Sequence, residues 1–430
     1  MNTKINLFAF QLGVLALLVF SCKGVMEKST VKETKRSTAF SRYKNGNLQF
    51  EQESSFFTNF KYYETTGLGY NTDPLLDTVI QEKLAAYKRD PRGPYEQFRV
   101  SRRHPELQIA YHLRNSLKGF EASTTFRDPT SPIKIGNLYH VWYTKTWGGG
   151  PVGQEKGSQG SYRDTKGNWK RIYSWDIATI WHATSKDGYH WEEEGMALEP
   201  GPTGSFDDRC VFTPDILVAN GKYYMYYQVA KSPHVYKDGP HHIAMAWADS
   251  PNGPWYKHDK LILSPTGKGG FDSRKVHDPS LIKKGGKYWL YYKGDGDHSD
   301  RSQFGEYYAI GWGVAVADKP EGPFVRSELN PIVTGGHEVV IFPYKSGVSA
   351  LVRQGPELFS IQYAADGLNF ELASHLKNVP RAGAFYRQGN FKDIDSFPVK
   401  FPKWGLSHEN RLLSKEAHIV HFDVFFKEEK

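Results

Sequence analysis

The stretch VFTPDILVANGKYYMYYQ, residues 211–228, decides the fold. A polar residue stands before a proline (Thr213-Pro214), an apolar run follows, a turn containing Gly221 interrupts it, and Tyr223 opens an alternating aromatic segment. That order reads as strand, tight turn, strand. It recurs in FRDPTSPIKIGNLYHVWYTK (126–145) and VHDPSLIKKGGKYWLYYKG (276–294), where Asp128-Pro129 and Asp278-Pro279 replace Thr213-Pro214, and Tyr139 and Tyr288 replace Tyr223. HEVVIFPYKSGVSALVR (337–353) follows the pattern loosely.

Each unit has a second half: IATIWHATSKDGYHWEE (177–193), IAMAWADSPNGPWYKH (243–258), IGWGVAVADKPEGPFVRS (310–327) and FSIQYAADGLNFELAS (359–374). In each, an alternating strand meets a turn with Gly188, Gly253, Gly322 or Gly367, then Trp191, Trp255, Phe324 or Phe370. Glycine supplies the backbone freedom of the turn, and the ring is expected to cover the adjoining strand. Two hairpin halves make a four-stranded blade. Residues 382–430, with AHIVHFDVFF, supply a fifth, irregular unit, so the chain is expected to be an all-β, five-bladed propeller. Composition agrees: 11 Trp, 26 Tyr and 26 Phe among 430 residues, with 41 Gly and 24 Pro, favour pleated strands over helix bundles and exclude disorder for most of the chain.

The expected domains are a signal at 1–21, a polar tether at 22–55, a helical segment at 56–120 and the propeller at 121–430. Leu7 to Phe20 is an apolar run after a single Lys, ending on Ser21-Cys22. This is the order of a secretory signal, and its end resembles a bacterial lipoprotein box with Cys22 as the lipidated residue. An exported lipoprotein, periplasmic or anchored at the outer membrane, touches the membrane through that lipid alone. Cys210 is then left without a disulfide partner, and stability must come from packing. The net charge of +8 reads as a basic solvated surface, with an anionic glycan as the second reading; export argues against nucleic acid. Within 56–120, Leu76, Val79, Ile80, Leu84 and Tyr87 mark one helical face, and Leu107, Ala110, Leu113 and Leu117 a second.

The first strand of a propeller blade lines the central channel, so equivalent strand starts converge at one mouth. The shared position holds Asp128, Thr213 and Asp278, with His337-Glu338 at the fourth unit. Several carboxylates facing one funnel are costly, because like charges push at least one pKa upward. Paired carboxylates across a pocket are what glycoside hydrolysis requires, one protonated for the leaving oxygen and the other ionised. Turn chemistry explains an Asp-Pro singly, but not Glu338. Arg127 and His277 precede the two aspartates; with Thr213, Gln228 and Lys293 they are candidates to bond sugar hydroxyls, and Trp147 to stack on a ring face. Thr144 shares its strand-end position with Gln228 and Lys293. Asp295, Asp297 and Asp300 lack the glycine and final glutamate of an EF-hand loop, and His241-His242 reads as surface loop. No metal site or required cofactor is implied; a divalent cation in the channel is left open.

The runs FRDPT, SFDDRCVFTPDIL, KVHDPSLI, GGHEVVIFP and IQYAADGLNFE, in that order over roughly 126–390, resemble glycoside hydrolase family 117, α-1,3-(3,6-anhydro-L-galactosidases) acting on neoagaro-oligosaccharides. The resemblance implies a five-bladed propeller, an N-terminal helical segment exchanged in a homodimer, and exo-acting cleavage with inversion. It implies Asp128 as general base, Asp278 and Glu338 as further acidic site residues, and His337 as the general acid, with a carboxylic acid as the alternative donor to the leaving oxygen. Three departures stand out: Phe126 occupies a position that is often Arg in the family, the N-terminal helical segment lacks the Ser-x-Ala pattern expected there, and a polar, glycine-rich insertion runs from Gly148 to Gly160. Alternatives are the same fold acting on another red-algal galactan end, an anhydro-D-galactose or a sulfated galactose, and a non-catalytic glycan-binding propeller.

Overall fold

Twisted antiparallel hairpins that bury both faces must stack on one another, and five of them close a ring here. The computed structural model describes residues 107–116, 124–147, 160–163, 169–172, 174–232, 239–267, 270–296, 310–334, 338–352, 360–375, 380, 383–410 and 417–426. The signal, the tether with Cys22, and the first helical face lie outside them.

Blade one joins Thr124–Arg127 and Ile133–Ile135 to Leu138–Trp147, then Thr179–Ser185 and Trp191–Leu198. Blade two is Cys210–Ala219, Lys222–Ala230, His242–Ala248 and Tyr256–Lys257. Blade three is Lys275–Lys284, Lys287–Asp295, Ile310–Ala317 and Val325–Arg326, with Val333–Thr334 added to its third strand. Val339–Tyr344, Gly347–Val352, Ser360–Ala364 and Glu371–His375 form blade four. Within the insertion of blade one, Gly160–Arg163 and Trp169–Ile172 pair as a separate ribbon. Asn220 and Gly221, at φ 52° and 75°, turn the hairpin of blade two as a two-residue loop whose twist matches its strands.

Blade five departs from expectation. Its strand order is Gly383–Phe385, Trp404–Asn410, Ala417–Phe426 and then Leu107–Ser116, the last pairing antiparallel with Ala417–Phe426. The second face expected to be helical is therefore a strand, and the propeller's described part begins at Leu107. The spacing Leu107, Ala110, Leu113 fits a helix, but Leu107, Ile109, Tyr111 and Leu113 also alternate, and an open sheet edge decides between the periods. The two ends of the propeller chain thus share one sheet.

The turn rings also act differently from expectation, because they cross to the preceding blade. Trp255 of blade two meets Trp142 of blade one edge-on at 5.9 Å, Phe324 meets Tyr226 at 6.1 Å, and Phe370 meets Tyr291 at 6.5 Å. Trp142, Tyr226 and Tyr291 each follow the first tyrosine of their strand by three positions, and all three are fully buried. The hydroxyl of Tyr291 donates to Gly367 O at 3.0 Å, and that of Tyr226 donates to Pro320 O, both in the next blade's turn. Rings prefer this edge-to-face arrangement, and a buried tyrosine needs a partner for its hydroxyl. At the closure the partners change but the device persists. His421 Nδ1 lies 2.8 Å from Gly188 O, Tyr189 stacks on His421 at 3.9 Å, and Trp404 stacks on its other side at 5.0 Å. Gly188 has φ 81°, and a Cβ there would sit 3.2 Å from the Trp404 ring.

This packing can be tested at two positions. Phe370→Ala should lower unfolding stability by about 3–5 kcal/mol, whereas Val325→Ala, at an exposed outer position, should stay within about 0.5 kcal/mol; urea midpoints measure both. The second test concerns His182, whose Nε2 lies 3.0 Å from His140 Nδ1 and whose ring stacks on Trp142. Burial first, then His140, pulls its pKa down to about 3. The unfolded chain therefore binds more protons below about pH 6.5, and stability falls as pH drops from there. His182→Phe should flatten that acid-side loss between pH 7 and 4.5, and an unchanged slope would refute the assignment.

Candidate active site

The shared strand-start position is a strained one. Asp128, Thr213 and Asp278 adopt φ of 48°, 47° and 50°, the left-handed region that side chains with a Cβ rarely enter. A following proline restricts them further. In blades two and three the strand register slips at this point, between Phe212 and Asp215 and between His277 and Ser280, so each X-Pro pair forms a bulge. Proline suits a bulge because it has no N–H to leave unpaired, and the bulge re-aims the residue before it. Strain of about 1–3 kcal/mol per residue persists only where the surroundings over-determine it. Those surroundings come partly from the neighbouring blades: the Thr213 N–H donates to Thr144 Oγ1 at 2.8 Å, and the Asp128 N–H points to His408 Nδ1 at 3.4 Å.

The charges converge as the repeat suggests. Asp128, Asp278, Glu338 and Lys293 lie within electrostatic reach of one another across blades one, three and four. Burial raises the pKa of Asp128, but Arg127 and His408 outweigh it, and the carboxyl stays below the ordinary aspartate value. Arg127 Nε is 3.9 Å from Asp128 Oδ1, and His408 Nδ1 is 3.2 Å from it. Asp278 moves the other way: burial raises it, Lys293 opposes, and Asp128 and Glu338 add to the rise. Lys293 forms a direct ion pair with Asp278 Oδ2, and its own pKa is raised because Asp278 and Glu338 outweigh burial. The environment therefore pulls the Asp128 carboxyl below its ordinary pKa and raises that of Asp278 despite its ion pair with Lys293.

The candidates sort into distinct roles. Arg127, Asp128, His277, Asp278, Lys293 and Glu338 gather at the mouth, with His277 Nδ1 3.7 Å from Asp278 Oδ1. Thr144, Gln228 and Lys293 do share one register position, opposite Arg127, Phe212 and His277. Yet Lys293 is engaged with Asp278, and the Gln228 amide contacts His241. His241 corrects the surface-loop reading: it is fully buried, edge-on to Phe212 at 5.8 Å, because the next blade's first strand covers it through the bridge to Lys275. Half-buried His242 contacts Ser264 Oγ at 3.0 Å. Among the described residues no group of three His, Cys, Asp or Glu is placed to hold a metal ion. His337, the side chain of Trp147, most of the Gly148–Gly160 insertion, and Asp297 and Asp300 lie outside the described residues.

Three residues were missed. His408, fully buried on blade five, reaches Asp128 from 280 residues away in the chain, and no local motif marks it. Asp215 follows Thr213-Pro214 directly, so its repeat position was visible. Its carboxylate accepts the Leu281 N–H of blade three at 2.7 Å and the backbone amides of Ile216 and of Ser131 in blade one. Burial pushes its pKa up to about 6 although Arg387 opposes, and burial lowers Arg387 to about 10. This pair pins blades one, two and three at the axis to the segment after blade five's first strand.

Known proteins share this fold. A sequence profile of glycosyl hydrolases family 43 matches residues 162–279. A family 117 glycoside hydrolase produced by the marine bacterium Zobellia galactanivorans is 36% identical, with 74% of this chain and 90% of that one covered at a TM-score of 0.63. A protein solved as an RGII complex, 13% identical over 76% of this chain and 94% of that one, has the same fold at a TM-score of 0.53. So does another glycoside hydrolase, 12% identical over 78% and 95%, at 0.50. No curated protein matches the chain.

Removing Lys293 tests the charge balance. Lys293→Met leaves Asp278 buried beside two other carboxylates, which should cost about 3 kcal/mol of stability at pH 7.5. A carboxyl whose folded pKa is raised stabilises below its unfolded value and loses that contribution as pH rises, so the deficit should shrink towards pH 4.5. Urea unfolding at the two values measures it; a deficit independent of pH would show that Lys293 acts through packing.

Proposed function

Because the chain belongs to glycoside hydrolase family 117, we propose that it is an exo-acting glycosidase that releases terminal 3,6-anhydro-L-galactose from neoagaro-oligosaccharides with inversion. The observation carrying this reading is the opposed behaviour of two carboxyls at one mouth, Asp128 held ionised and Asp278 raised. An inverting hydrolysis needs an ionised base on one side of the anomeric carbon and a proton donor on the other. Asp128 takes a proton from water as the water oxygen bonds to the anomeric carbon. The glycosidic C–O bond breaks, and the leaving oxygen receives a proton from the acid side, a task that the family pattern gives to His337, which precedes Glu338 in the chain. Carboxylate neighbours keep an imidazolium protonated near neutral pH, which suits that task.

A second sugar is favoured by one observation. Arg127 Nε has no hydrogen-bond partner, and the guanidinium lies over the Trp175 ring at 5.1 Å beside Asp128. A guanidinium beside the mouth whose Nε makes no hydrogen bond suits a sulfate on a galactan end.

Product analysis on a panel of agar-, porphyran- and carrageenan-derived oligosaccharides separates the readings. Anhydrogalactose released from neoagarobiose and its homologues, and from no sulfated end, supports the first; turnover confined to sulfated ends replaces it. Binding to the panel without turnover would point to a glycan-binding propeller. Asp128→Asn should lower kcat by about 10²–10⁴-fold, and full activity in that variant would remove Asp128 from the mechanism.

A further inference from the structure

His408 stands on the second strand of blade five, Trp404–Asn410, and its side chain is fully buried. Its Nδ1 is 3.2 Å from Asp128 Oδ1 and 3.4 Å from Asp128 N, so one ring nitrogen meets both the carboxylate and the backbone of the same strained residue. Blade one repeats half of this arrangement: Thr144, on its second strand, accepts the amide of Thr213, the equivalent residue of blade two. Each of these second strands thus supports the strand start of the next blade. At the junction where that residue is Asp128, the supporting group is an imidazole.

We propose that His408 is the positioning residue of Asp128, holding its carboxylate in one rotamer and keeping it ionised through an Nδ1–H donated to Oδ1. This rests on the reading of Asp128 as the general base. A ring nitrogen offers either a proton or a lone pair, not both. Beside a carboxylate held ionised, and at the shorter of the two distances, the protonated nitrogen is the consistent choice, and the amide contact is secondary. The other groups acting on Asp128 are Arg127 and Lys293, which also favour the charged form, and Glu338 and Asp278, which oppose it. Arg127 supplies charge from 3.9 Å. His408 supplies direction, since its ring is confined on every side while the carboxylate can otherwise turn about its side-chain torsions.

The experiment compares His408→Phe, which keeps a buried ring without a donor, with His408→Asn, whose side-chain amide can place a donor near the Nδ1 position. His408→Phe should lower kcat by about tenfold to a hundredfold with KM within about twofold. The acid limb of its kcat/KM profile should move to higher pH, because Glu338 and Asp278 then act on Asp128 with less opposition. His408→Asn should recover much of kcat and return the limb towards its wild-type position. Circular dichroism and melting of both variants identify any that fail to fold. A folded His408→Phe with an unmoved acid limb overturns the proposal, as does a folded His408→Asn no better than His408→Phe.

The ¹⁵N resonances of His408 provide a readout independent of turnover. In wild-type protein at pH 7, Nδ1 should read as protonated, and Asp128→Asn should change its shift. An Nδ1 that reads as unprotonated overturns the proposal even if no oligosaccharide in the panel is cleaved. If wild type cleaves nothing while Nδ1 is protonated and coupled to Asp128, the substrate assignment fails and the positioning role stands.

Discussion

The contact on which the rest of this propeller depends is the ring that leaves one blade's outer turn and lands edge-on against a buried aromatic of the blade before it. Trp255 on Trp142, Phe324 on Tyr226 and Phe370 on Tyr291 repeat one geometry at three junctions, with interplanar angles close to a right angle. Such a pair contributes about 0.5–1.5 kcal/mol beyond the apolar area it buries. Its larger effect is angular. A ring edge against a ring face fixes how far one sheet turns relative to the next, and five equal turns must bring the last sheet back to the first. Cys210 is buried and free, with burial raising its thiol pKa, so packing is the device these junctions use.

Fixed junctions explain how three non-glycine residues stay in the left-handed region before proline. Each would relax if its blade could shift along its neighbour, because the strain is local and the restraint is not. The amide of Thr213 is held from blade one, and the carboxylate of Asp128 is met from blade five by His408. Asp215, bonded to backbone of three blades, keeps the strand starts at a common height on the axis. The alternating strand pattern would point these side chains by turns towards either sheet face; the bulge breaks that alternation and turns one residue per blade towards the mouth. Strain and function meet at the same positions because both require the backbone to leave its regular path.

The repeat was legible because period-two aromatics, the residue before proline and the turn glycines are local features. For the same reason the strand-start residues could be aligned, and Asp128, Asp278 and Glu338 share one electrostatic environment. What stayed hidden involves residues far apart in the chain. The alternation of Leu107, Ile109 and Tyr111 becomes a strand only because Ala417–Phe426 offers an unpaired edge. His408 reaches Asp128 through ring closure, and His241 is buried by a strand that begins more than thirty residues later. The turn rings were recognised but matched to the wrong neighbour, because a linear pattern carries no information about which side of a blade a turn folds over.

Closure also ties the chemistry to the two ends of the described propeller. Blade five is the sheet built from both, and its Trp404–Asn410 strand carries at one end Trp404, stacked on the ring that meets blade one's Gly188 turn, and near the other His408, against Asp128. A single strand therefore seals the ring and supports the proposed base. If blade five separates from blade one, Asp128 loses the donor that His408 supplies to its carboxylate. The carboxylate would then be free to turn, and with Glu338 and Asp278 still nearby its pKa would rise. An open ring would thus hold its aspartate in the wrong place and with a weaker hold on its charge, so the competent ionisation state belongs to the closed propeller rather than to any one blade.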